Sequence, residues 1–210
     1  MLKHSISDTI AAIATPIGES GIGIVRISGK DALAIADKVF VSNDAKRPSD
    51  FKTYTAHYGW IVDPFETTQV IDEVILTVMR SPKSYTKEDI VEINCHSGIV
   101  ALRRVLGLVL ENGCRLAEPG EFTKRAFLNG RIDLAQAEAV LDIIRAKTDS
   151  ALRIGIEQLK GALSYQINKI GNELLDILSL LEANIDFPEE EISLVDYKAL
   201  RQRLGNINKN

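Results

Sequence analysis

Cysteine is scarce in this chain. Only Cys95 and Cys114 occur, far apart and outside any C-x-x-C pair, which removes a multi-bridge disulfide framework and favours a reducing, cytoplasmic setting. A single bridge between the two is the alternative. Histidine is nearly as rare: His4, His57 and His96 stand without companions at metal-ligand spacing, so no metal site is expected. Long apolar runs are missing as well. No stretch approaches the roughly 18 apolar residues of a membrane span, and residues 1–7 carry no signal-type apolar segment. A basic excess is also absent, with 25 Lys and Arg against 29 Asp and Glu and a net charge of −4 at pH 7. No overall basic field therefore draws the chain to nucleic acid, and any such contact must come from a local patch or from a part not present here.

Phosphate-gripping loops fail on inspection. Gly21-Ile22-Gly23-Ile24-Val25-Arg26 has arginine where G-x-G-x-x-G needs its third glycine. Around Gly29-Lys30, Ile24 replaces the first glycine of a Walker A loop and Asp31 its Ser/Thr. No other match occurs, so the sequence offers no grip for a nucleoside triphosphate and no catalytic residue of its own. What is present, 210 residues with 45% hydrophobic and 26% charged, suits a soluble chain of one or two domains.

The apolar pattern divides this chain. Asp8–Thr15 and Gly21–Ser28 read as strands, Asp31–Phe40 as a helix and Ser42–Lys52 as a loop. Tyr54–Val62 and Val70–Met79 read as an antiparallel pair joined near Asp63 and Pro64, with Ser81–Glu88 as the next loop. Asp89–His96 alternates, with Val91, Ile93 and Cys95 facing one way and Ile90, Glu92, Asn94 and His96 the other. A helix through Leu110 and a short edge strand at Cys114–Ala117 follow. The expectation is an α+β domain with a mixed sheet. In AEPGEFTKRAFLNGRIDLAQAEAV, Pro119 and Gly120 break the chain, Gly130 stops a short helix and Asp133 can cap a new one. From Leu134 onward the spacing is helical. The stripe Leu152, Ile156, Leu159, Leu163, Ile167, Ile170, Leu174, Leu178 and Leu181 steps by three and four, which predicts one long helix starting near Thr148. Phe187 and Pro188 end it, an acidic run at 189–191 follows, and Tyr197–Leu204 can start another helix. Domains of 1–131 and 132–210 result, the second all-α. So much apolar stripe on so few helices implies either a fragment or an obligate oligomer.

Two polar residues sit on strands where apolar ones are expected. Glu92 in mid-strand is costly if buried without a donor, and it implies either an edge strand with that face in water or a paired carboxylate. Arg26, on the Ile22, Ile24, Ser28 face of its strand, is a candidate partner. Cys95 and His96 are adjacent on a strand, point to opposite faces and cannot converge on one atom. Lys124 and Arg125, with Arg131 nearby, read as a solvated basic face.

DTIAAIATP, GIGIVRISG, SPKSYTKEDIVEINCHSG and AEPGEFTKRAFLNGRIDLAQAEAV, in that order, resemble the N-terminal part of the tRNA-modification GTPase family (MnmE/TrmE). The resemblance implies a tetrahydrofolate-binding, dimer-forming α+β domain and then a helical domain interrupted by a GTPase insert, before which this chain would end. Carried over by position, Arg26, Glu92 and Arg131 match the family's contacts to 5-formyltetrahydrofolate; the third is often lysine, and arginine there keeps the charge but changes the geometry. A pterin offers an amino group and a ring N–H side by side, and one carboxylate can accept both. The two arginines can pair with the formyl oxygen or the acidic tail. The resemblance further implies a homodimer, a FAD-dependent partner protein, tRNA as substrate with modification at the wobble uridine, and GTP, magnesium and potassium bound only in the GTPase domain outside this sequence. Other readings are a folate-dependent aminomethyl transferase, which would continue into β-rich domains, and a non-catalytic dimerisation scaffold.

Overall fold

The computed structural model describes residues 8–64, 69–186 and 197–207. The helix stop expected at Phe187 and Pro188, the acidic run at 189–191 and His4 lie outside them. The chain divides into two units, Met1–Ile132 and Asp133–Asn210.

In the first unit the described elements are β1 (Ile10–Ile13), β2 (Gly23–Ser28), α1 (Ala32–Val39), β3 (Phe40–Ser42), β4 (Thr55–Val62) and β5 (Val70–Met79), then β6 (Ile90–Cys95), α2 (Ile99–Glu111), β7 (Arg115–Leu116) and α3 (Glu121–Leu128). The strands form one sheet in the order β3-β4-β5-β6-β2-β1-β7. It is mixed, because β7 runs parallel to β1 while the other pairs are antiparallel. This is the α+β architecture expected. Strand alternation gives the sheet two unlike faces. Val25 and Ile27 on β2 and Val91, Ile93 and Cys95 on β6 point one way and pack on Leu33, Ile35, Ala36 and Val39 of α1 and Leu102, Val105 and Val109 of α2. Each such aliphatic side chain taken from water contributes about 1.5–3 kcal/mol, so this single core supplies most of the unit's stability. The stretch at Ser42–Lys52, expected as a loop, is more ordered at both ends: Phe40–Ser42 adds an edge strand to β4, and Pro48–Asp50 forms a 3-10 turn.

The second unit is helical. Helix α4 (Leu134–Arg145) starts on a capping box in which the Asp133 carboxylate accepts from the Gln136 N–H at 2.9 Å and the Gln136 side chain accepts from the Asp133 N–H at 2.9 Å. Thr148 caps α5 (Asp149–Leu159), and α6 (Ala162–Asp186) and α7 (Tyr197–Ile207) follow. The predicted single long helix is therefore two. Gly161 adopts φ +91°, a conformation helical L-residues avoid, and its N–H bonds to the Gln158 carbonyl at 2.9 Å. The Gln136 amide donates to the Leu159 carbonyl at 2.8 Å, satisfying a group the break exposes. No helix among the described residues is long and apolar enough to cross a membrane.

Candidate functional site

The second face of the sheet carries the polar strand residues. Register sets Ala12 beside Arg26, Arg26 beside Glu92 and Glu92 beside Thr77, a row crossing β1, β2, β6 and β5. Cross-strand neighbours share a face with Cβ atoms about 5 Å apart, so the arginine and the carboxylate meet by construction. β6 is the central strand of the seven, and the edge-strand explanation of Glu92 fails. Arg26 instead compensates the charge, with Nε 2.8 Å and Nη2 2.7 Å from Glu92 Oε1. Nε donates the hydrogen bond and Nη2 adds an ion-pair contact to the same oxygen, and among the described residues Oε2 accepts no hydrogen bond. The pair stays partly open, with side chains 28% and 19% exposed. A partly hydrated ion pair contributes little stability, yet it fixes the carboxylate's direction.

Three further side chains surround this pair. The Arg26 guanidinium carbon lies 5.5 Å from the Phe122 ring centre and 5.9 Å from that of Tyr85. The Arg131 guanidinium carbon lies 4.8 Å from the same Tyr85 ring. Such contacts are worth about 0.5–1 kcal/mol each at exposed sites. The Tyr85 hydroxyl is 2.9 Å from Thr123 Oγ1. Arg131 owes its place to the end of α3. Gly130 at φ +65° follows the last turn, its N–H bonds to the Phe127 carbonyl and the Arg131 N–H to that of Ala126, both at 2.9 Å. This Schellman turn folds the chain back towards the 81–89 loop, where Lys87 Nζ donates to the Gly130 carbonyl at 2.9 Å. The structure thus brings Arg26, which holds Glu92, and Arg131 to one tyrosine.

Tyr85, Phe122 and Thr123 are not apparent from the sequence as site residues. The one local signal is an aromatic inside an otherwise polar loop and another in the first turn of a polar helix. Arg125 corrects the sequence reading outright. Expected on a solvated basic face, its side chain is 4% exposed and meets three carboxylates, Asp8, Glu88 and Glu121. Arg115 closes the cluster, with Nε 2.7 Å from Asp8 and its two terminal nitrogens 2.6 and 3.1 Å from the two Glu121 oxygens. Burial pushes the Glu121 carboxyl up, but Arg115, the Glu118 N–H and Arg125 outweigh it and hold the group at about 2. The cluster ties α3 and the 81–89 loop to Asp8, two residues before β1, and so holds Tyr85 and Phe122 against the sheet.

Other candidate groups do not join the site. Burial, then Asp72, pushes the Cys95 thiol up to about 11, and burial, then Asp31, pushes Cys114 up to about 12. Both remain neutral thiols near neutral pH and neither is bridged. His96 lies apart from Cys95, with its Nδ1 2.6 Å from Asp72. A cavity of about 630 Å³ is lined by Lys30, Pro82, Lys87, Asp89 and Asn129 among others, and none of Arg26, Glu92 or Arg131 borders it.

Comparison with known proteins places the whole described fold in one family. Residues 9–131 match the family model described as the GTP-binding protein TrmE N-terminus, and residues 134–210 match the MnmE helical domain. The chain is 54% identical over 203 residues to the tRNA modification GTPase MnmE of Bacillus licheniformis, covering 96% of this chain and 44% of that protein. It is 56% identical over 202 residues to that of Carboxydothermus hydrogenoformans, with 96% and 44% covered. It is 58% identical over 182 residues to that of Lysinibacillus sphaericus, with 87% and 39% covered. The chain therefore spans less than half the length of these relatives. An α+β first unit, a helical second unit and two family models that match residues 9–131 and 134–210 lead to one assignment: the chain belongs to the tRNA modification GTPase family MnmE/TrmE.

Proposed function

We propose that this chain is the folate-binding and dimerising portion of a GTPase that modifies the wobble uridine of tRNA at C5 together with a flavoprotein partner. Arg26, Glu92 and Arg131 hold 5-formyltetrahydrofolate, which supplies the one-carbon unit. The observation that carries this reading is Glu92: a carboxylate on the central strand, aimed by Arg26, with Oε2 open to a donor. Oε2 can accept from the pterin amino group. Oε1, which accepts one hydrogen bond from Arg26 Nε, keeps a lone pair for a second, parallel bond to the ring N–H. Arg26 and Arg131 add two positive charges beside one negative charge, which favours a ligand with a carboxylate tail.

The charges gather on a patch, so a globally acidic chain still has a local place for an anion. Homodimerisation through the first unit is supported by Tyr58 and Ile75, cross-strand neighbours on the second face that are 47% and 49% exposed. GTP hydrolysis, with magnesium and potassium, belongs to a domain outside this sequence, and tRNA and the FAD-dependent partner enter through the family. The all-helical second unit argues against an aminomethyl transferase, for which β-rich structure is expected. Calorimetry with 5-formyltetrahydrofolate tests the site. Removing a carboxylate that accepts charge-assisted or paired hydrogen bonds costs roughly 1.5–3 kcal/mol, so Glu92→Ala should weaken binding about 10- to 100-fold. Unchanged affinity in Glu92→Ala would remove the assignment.

A further inference from the structure

We propose that Tyr85 is the positioning residue of this site, a π surface that aims Arg26 and Arg131 at one ligand. The proposal rests on the folate reading for the ligand's identity but not for the arrangement itself. Arg131 is exposed, and among the described residues its guanidinium makes no ion pair or hydrogen bond; its contact is the Tyr85 ring at 4.8 Å. An exposed arginine otherwise samples many rotamers, and fixing it costs entropy at the moment a ligand binds. The ring removes part of that cost beforehand. Arg26 approaches the same ring at 5.9 Å, so one side chain gathers two cations that would otherwise repel each other.

Tyr85 can do this because it is itself fixed. Its hydroxyl meets Thr123 at 2.9 Å. On either side of it, the Ser84 hydroxyl donates to the Glu88 carbonyl, the Thr86 hydroxyl meets Ser28 at 2.7 Å, and Asn129 donates to the Thr86 carbonyl at 2.7 Å. The loop is thereby tied to β2 and to the end of α3, the two elements that carry Arg26 and lead into Arg131. A π face, not a hydroxyl, is what the two guanidinium groups use, and this separates the effects of different substitutions.

The test compares Tyr85→Phe, Tyr85→Leu and Glu92→Ala. In NMR spectra of the ligand-free chain, the Arg131 side-chain Nε–H should show a ring-current shift that Tyr85→Phe retains and Tyr85→Leu abolishes. In calorimetry with 5-formyltetrahydrofolate, Tyr85→Phe should bind within about threefold of the parent and Tyr85→Leu about 5- to 30-fold more weakly, the effect of losing two cation–π contacts. If Tyr85→Leu fails to fold, Tyr85→Met, which fills the volume without a π face, takes its place with the same expectation. Parent-like arginine shifts in the leucine or methionine variant, or an equal loss in Tyr85→Phe, would overturn the proposal. Glu92→Ala keeps the two failures apart: if it leaves folate binding unchanged, the folate reading falls, while the arginine shifts still decide the role of Tyr85.

Discussion

Arg125→Met is the most demanding perturbation the first unit offers, because the same residue has opposite consequences on a solvated helix face and in a buried cluster. Met keeps the length of the aliphatic stem and deletes the charge. In the native chain the Arg125 guanidinium donates to the Asp8 carbonyl at 2.8 Å, to the two Glu88 oxygens at 3.1 and 3.3 Å and to Glu121 at 3.1 Å, and it also meets the Asp8 carboxylate. The losses are unequal. Asp8 and Glu121 retain Arg115, whereas the Glu88 carboxylate, with its side chain 14% exposed, retains the Ser28 hydroxyl but, among the described residues, no cation. Removing one partner of a buried ion pair costs about 3–5 kcal/mol, a large share of the roughly 5–15 kcal/mol that stabilises a domain. At an m-value of about 2 kcal/mol per molar urea the midpoint should fall by about 1.5–2.5 M. The single tryptophan, Trp60, lies on β4 in the first unit, so its fluorescence during urea unfolding reports this unit alone. The double variant Arg125→Met with Glu88→Gln should recover part of the loss, since it removes the stranded charge while the new amide oxygen can still accept from Ser28. A midpoint drop below about 0.5 M for Arg125→Met, the behaviour of a surface residue, would refute the cluster's structural role.

Acid offers an independent route to the same cluster. With its folded pKa held at about 2 against an ordinary 4.5, Glu121 contributes stability that is fully present above about pH 4.5 and lost as the pH falls towards 2, a total of about 3 kcal/mol. Asp8, lowered by Arg115 and Arg125 against the opposing effect of burial, acts in the same direction. Trp60-monitored urea midpoints should therefore decline over that window, and Glu121→Gln should start lower and decline less; parallel slopes for the two proteins would contradict the pairing. In the helical unit, Gly161→Ala and Gly171→Ala should have opposite signs. Gly161 sits at φ +91°, where a Cβ costs about 1–2 kcal/mol, whereas Gly171 lies within α6 with open space around it, so alanine there stabilises by about 0.5–1 kcal/mol. Thermal unfolding followed by circular dichroism distinguishes them, and two stabilising substitutions would mean that α5 and α6 are one helix.

Where the sequence succeeds and where it fails has a common physical basis. The strands of the first unit were legible because one face of the sheet is covered by α1 and α2, so Val25, Ile27, Val91 and Ile93 had to alternate with something else. The same alternation exposed Arg26 and Glu92 as misfits, and register then made them neighbours. The break at Gly161 escaped because hydrophobic spacing records which residues share a stripe and is insensitive to the sign of φ; the glycine itself was the available signal. Arg125 escaped for another reason. Its partners lie 117, 37 and 4 residues away, and only the Glu121–Arg125 spacing, i to i+4 on one helix, is visible locally. Tyr85 belongs to an aperiodic loop, where no pattern assigns a side chain to a face.

The fates of three arginines separate scaffold from site more sharply than any motif does. Arg125 is enclosed by three carboxylates and a backbone carbonyl, so its hydrogen-bonding capacity is met by the fold and it has nothing to offer a ligand. Arg26 shares one carboxylate oxygen and leaves its pair partly open, and Arg131 rests on an aromatic ring that cannot neutralise it. A protein that needed these groups only for stability would gain more from apolar residues on the face of a central strand, since burying even a good ion pair contributes little net. Incomplete satisfaction is tolerable where a ligand completes it. On that argument the partly open second face around Glu92 is the proposed functional surface, and the buried cluster at Arg125 is the frame that keeps Tyr85 and α3 in place beside it.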